Sequence, residues 1–158
     1  MSKFHEQYLR LLEAYQDIKD EFITMVSDED LRHTLPGSPS LGELCKQMGE
    51  TEQSYINSFK PPYKLNFEYK HADAEVAVNV GALAAWWANL DHEMKLILDA
   101  FTDEDLDSVR VGRGSWMVPI QQNLDIYKEA LLIFCGKAWV HLRALGKNMP
   151  EQWEEWIG

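Results

Sequence analysis

The longest regular pattern in the chain lies between residues 117 and 146, where Ile120, Leu124, Tyr127, Leu131, Phe134, Ala138, Leu142 and Leu145 recur every three or four positions. Apolar side chains at that spacing share one side of an α-helix, so the pattern predicts a helix of about eight turns. A stripe this long needs partners, and three other segments offer them. Phe4, Tyr8, Leu11, Leu12, Tyr15, Ile18, Phe22 and Met25 predict a helix over 3–26, with Glu6, Arg10, Glu13, Asp17 and Lys19 off the apolar face. Leu41, Leu44, Met48, Thr51 and Tyr55 predict one over 40–59, and Val80, Leu83, Trp87, Leu90, Met94, Ile97 and Phe101 one over 73–101.

The breaks between these segments carry their own chemistry. Pro36, Gly37 and Pro39 interrupt the first period, because proline lacks the helix donor and glycine favours turns. Ser40 and Glu43 have the spacing of a capping box, which starts the second helix. Lys60, Pro61 and Pro62 end it, and residues 60–72 predict a long ordered crossover, with strand-like alternation only near 64–69. Residues 102–115 are polar and punctuated by Gly112 and Gly114, which reads as a connection delivering Pro119 to the first turn of the last helix. Gly146 is a left-handed stop, and Trp153 with Trp156 predicts a short docked helix or turn at one end. The expected fold class is therefore all-α: a four-helix bundle with long crossover connections, residues 1–158 forming one domain.

Charge narrows the partners. With 26 acidic and 15 basic side chains the formal net charge is −11, which repels phosphate backbones and anionic lipid, so neither nucleic acid nor a membrane is an expected partner. The N-terminal residues have no uninterrupted apolar core of the signal-peptide kind and no window reaches 18 apolar residues, which gives a cytoplasmic expectation. Cys45 and Cys135 have no CxxC spacing; buried reduced thiols are the simpler state, and a disulfide stays open.

Two segments carry a family resemblance. SLGELCKQMGETEQSYI, residues 40–56, resembles the second helix of the DinB/YfiT-like superfamily, where a segment of the form SxGELxxHxxExE carries a metal-binding histidine. EALLIFCGKAWVHLRALGKNMP, residues 129–150, is similar to that family's closing HxxxHRGQ segment with its following LRxLGxxPP. The resemblance implies a four-helix bundle and a three-histidine site for a divalent metal such as nickel or zinc. Carried over position by position, that triad falls on Gln47, Ala130 and Phe134, none of which is a histidine. Two apolar side chains and one amide do not make a site for such a metal, so no metal or other cofactor is expected.

The remaining candidates are weaker. His5, His33, His71, His92 and His141 include no pair three or four residues apart, and read as separately solvated or capped. Glu68 and His71 form a lone ExxH in a loop, short of the paired motifs of a di-iron site. There is no GxSxG, P-loop or GxGxxG, and Cys135 reads as an inert core thiol. Glu50 shares the face of Gln47, with a solvated carboxylate as the simpler reading; Tyr55, Tyr127 and Trp87 lie on inward stripes and join Gln47, Ala130 and Phe134 as pocket candidates. The acidic run from Asp91 to Asp107 reads as a solvated face and loop. Of Trp86 and Trp87, which point about 100° apart, only one can be central core. The resulting expectation is a metal-free, homodimeric DinB-like protein that binds a small molecule or a protein through its bundle pocket. The alternative is a thiol S-transferase, isomerase or hydrolase of that family with altered metal ligands.

Overall fold

The computed structural model describes residues 5–158, with side chains from Glu6 onward; Phe4, the first member of the N-terminal stripe, and the side chain of His5 lie outside the described residues. Of the described residues 67% are helical, with a single small sheet of two strands among them. After a π-helical turn at His5–Leu9 come α1 (Arg10–Met25), α2 (Asp28–Leu31), α3 (Leu41–Ser58), a 3₁₀ turn at Ala74–Ala77, α4 (Val80–Asp99), α5 (Asp103–Ser108), β1 (Arg110–Arg113), β2 (Trp116–Pro119), α6 (Ile120–Ala144) and α7 (Glu151–Trp156). The apolar stripes of α1, α3, α4 and α6 meet in one core that runs from Leu9 to Trp153. No described helix is long and apolar enough to cross a membrane.

The helix ends follow the capping chemistry in most places. Ser40 accepts the Glu43 N–H at 3.1 Å, but the return bond from the Glu43 side chain does not form, so only half of the expected box is present. Complete boxes close instead on α2 and α5, from Ser27 with Asp30 and Thr102 with Asp105, within stretches read as simple connections. At the far end of α6, Gly146 has φ +70°, its N–H reaches the Arg143 carbonyl, and the Lys147 N–H reaches Leu142. That is the Schellman arrangement, and only a residue free of Cβ adopts that φ cheaply.

Three boundaries differ from the pattern. Helix α4 begins at Val80 behind an Asn79 cap, because residues 74–77 form a tighter 3₁₀ turn rather than the helix expected from 73. Helix α6 begins at Ile120: Met117 and Val118 belong to β2, and Pro119 is the extended cap. The segment 110–119 is thus a hairpin, not a featureless connection, with Val111 paired to Val118 and Arg113 to Trp116 around a Gly114-Ser115 turn. Lys64 adds to its edge through Leu65 N–H to Gly112 O at 2.9 Å and Gly112 N–H to Tyr63 O at 2.8 Å, which ties the long crossover down.

Two glycines set how closely elements approach. A Cβ on Gly42 would lie 1.7 Å from the Ala77 carbonyl oxygen, and one on Gly49 2.4 Å from the Trp86 ring. The 3₁₀ turn and α4 therefore sit directly against α3. At the other end α7 docks as expected: Trp153 is fully buried and its indole N–H donates to the Ile18 carbonyl at 3.0 Å, while Trp156 meets Tyr15 edge-on.

Candidate functional site

Helix α3 presents its Leu44, Gln47, Met48 and Thr51 side to α6, and α6 answers with Ala130, Ile133, Phe134 and Lys137; between them lies a cavity of about 210 Å³. The three positions matched to the family's metal triad thus do come together. Its floor is the Phe134 ring, buried among Phe22 at 5.8 Å and Trp87 at 5.7 Å. The donor set does not fit a divalent metal, and among the described residues no three His, Cys, Asp or Glu side chains cluster to hold one.

A second cavity of about 290 Å³ shares Gln47 and Thr51 with the first and extends along α3 to Glu50 and Ser54, under Phe67, Tyr69 and Lys70 of the crossover. Glu50 is not solvated as its simpler reading had it: it is 7% exposed. One carboxylate oxygen accepts the His71 backbone N–H at 3.0 Å and the other faces the Lys70 ammonium at 3.3 Å. The His71 ring stacks on Trp86 with centroids 4.0 Å apart, and its Nδ1 pairs with the Tyr69 hydroxyl at 3.1 Å. Burial and the negative field of Glu50 and Glu93 raise the Tyr69 phenol.

Tyr55, Tyr127 and Trp87 do not line either cavity. All three are core residues, at most 2% exposed, with the two tyrosine rings 5.4 Å apart. Trp86 is the tryptophan nearer the surface. Tyr55 instead supports the hairpin, receiving the Arg113 guanidinium, which also donates to Asn123 at 2.8 Å.

Pattern reading missed the charged centre of the core. Lys19, placed off the apolar face by its charge, is fully buried and forms ion pairs with Glu52 at 2.5 Å and Asp91 at 2.7 Å, beneath the Trp87 ring. The spacing Leu12, Gln16, Lys19 was the available signal, since all three are buried on one side of α1. Burial favours the neutral amine, but the two carboxylates outweigh it and hold Lys19 above its ordinary value. One cation cannot neutralise two carboxylates in a dry core. Asp91 retains some solvent contact, so the proton goes to Glu52, whose burial lifts its pKa to about 8. The Tyr127 hydroxyl lies beside that carboxyl and is raised well above its ordinary value, first by burial and then by the negative field of Glu52 and Asp91. Asp91 and Glu93, which pairs with Lys60 at 2.6 Å, are thus ion-pair partners rather than a bare solvated face.

The histidines are not all separate either. His33 and His141 meet Nδ1 to Nδ1 at 2.9 Å across 108 residues of sequence, and burial together with His33 lowers the His141 pKa. Cys45 and Cys135 are both buried free thiols; burial pushes Cys135 up to about 12 and Cys45 well above its usual value, so neither is an activated nucleophile. Compared with known proteins, the chain matches no family model and no curated sequence.

Proposed function

We propose that this chain is a DinB/YfiT-like four-helix bundle that works as a metal-free binding protein, taking a small molecule in the cavity between α3 and α6. One observation carries the reading: Gln47, Ala130 and Phe134, assigned to the family's triad from two segments more than 80 residues apart, line the same cavity. Its walls are apolar, with Gln47, Thr51 and Lys137 as polar handles, the composition of a small-molecule site. The homodimer belongs to the same reading.

The register is tested by rebuilding the site. Gln47→His, Ala130→His and Phe134→His together create zinc or nickel affinity in this reading, measured by calorimetry, where the parent binds neither. A folded triple variant without zinc affinity refutes the alignment, and near-stoichiometric metal in untagged parent protein refutes the metal-free function. A light-scattering mass near that of one chain, 18.3 kDa, would dispose of the homodimer.

A further inference from the structure

The cavity beside Glu50 is organised around a charge. A carboxylate that is 7% exposed forms part of its lining, held in place by the His71 N–H, while His71 is itself stacked on Trp86, the ring that closes over Gly49. A buried carboxylate needs a cation. The only one beside it among the described ion pairs is Lys70, whose side chain is 74% exposed and whose ammonium stands at 3.3 Å. An exposed lysine contributes little to such a pair and gives up its place readily. Phe67 and Tyr69 supply aromatic walls, which suit a cation and its alkyl neighbours. Gln47 and Thr51 line both this cavity and the apolar one against Phe134, so the two adjoin along α3.

We propose that this site binds the ammonium end of an amphipathic amine, with Glu50 as its counter-ion, Lys70 as the internal group it displaces, and the Phe134 cavity as the seat of its apolar body. Only the seat of the apolar body rests on the functional reading above. An anion is the wrong occupant, because the fixed charge is the carboxylate and Lys70 is already spent on it. The net charge of −11 likewise favours a cationic ligand.

The test is a titration of the full chain with hexylamine, hexanol, hexanoate and ethylamine, followed by calorimetry and by amide NMR shifts at residues 47–54 and 67–71. Hexylamine should bind about tenfold more tightly than hexanol, as a charge-assisted hydrogen bond gives, with hexanoate weakest. Glu50→Gln should bring hexylamine down to the level of hexanol. Lys70→Ala, at an exposed side chain, should strengthen hexylamine several-fold and leave hexanol unchanged, and it keeps the test decisive if the Glu50 variant does not fold. Hexanol binding with no preference for the amine, or a Lys70→Ala variant that binds hexylamine less well, overturns the amine site while the apolar cavity stands. Ethylamine binding as tightly as hexylamine overturns the seat of the apolar body instead, and no binding of any probe overturns both.

Discussion

At the scale of single residues, the close approaches and the buried charge decide what can be changed. Gly49 faces the Trp86 ring at a distance no Cβ tolerates, so Gly49→Ala must push Trp86 off α3 and with it the His71 stack. The expected loss is about 1–3 kcal/mol in urea unfolding, the range for overpacking. Gly42→Ala should be worse, because its obstacle is the Ala77 backbone carbonyl and not a side chain able to turn away. Lys19 presents the opposite problem. Lys19→Met leaves Glu52 and Asp91 facing each other without a cation, and removing one member of a buried pair costs about 3–5 kcal/mol. Adding Glu52→Leu to Lys19→Met should recover much of that loss, since the fully buried carboxyl that has lost its ammonium partner is then replaced by an apolar side chain. A double variant no more stable than Lys19→Met would show that the three groups do not act as one cluster.

At the scale of elements, what the sequence disclosed depended on length. The four long helices repeat an apolar position over four or more turns, so their existence survives a few exceptions such as Leu11, which is 43% exposed. The hairpin offers no such redundancy: β1 is Arg-Val-Gly-Arg, with one buried apolar residue, and Met117 and Val118 pass equally well for the first turn of α6. Its one legible signal was the Gly114-Ser115 pair between two valines in register. The candidate site divides the same way. Gln47, Ala130 and Phe134 lie on two long helices whose register is legible from their apolar period, whereas the burial of Glu50 depends on the crossover folding over it, and the meeting of His33 with His141 depends on tertiary approach alone. Helix α7 was legible through its tryptophans, and its contribution is measurable. Trp153 fills the core beside Phe22, with centroids 6.2 Å apart, and satisfies the Ile18 carbonyl. Trp153→Ala should therefore cost about 3–5 kcal/mol and raise protease sensitivity within 150–158; an unfolding midpoint within error of the parent would mean that α7 does not dock.

At the scale of the whole molecule, the pH dependence of stability follows from how few groups titrate differently in the folded chain. An ordinary carboxylic acid, with a pKa of about 4, is ionised well before pH 6 and adds no pH dependence on the alkaline side. Glu52 is different: its folded pKa is about 8 against an ordinary 4.5. Between those values the folded state holds a proton that the unfolded chain releases, so stability is fully present below the lower value and is lost as pH rises through the upper one. The slope is at most about 1.4 kcal/mol per pH unit. His141 acts on the acid side with the opposite sign. Its folded pKa is depressed below 6.5, so the unfolded chain takes up the proton first and stability is lost as pH falls through that region. Urea midpoints should accordingly be highest in mildly acidic buffer, decline through neutral pH and level off above about pH 8. Glu52→Gln should flatten that decline while leaving the acid limb in place, and His141→Phe should flatten the acid limb alone. A parent midpoint that stays level from about pH 6.5 to pH 9, or a Glu52→Gln variant that declines as steeply as the parent, would mean that the core proton does not reside on Glu52.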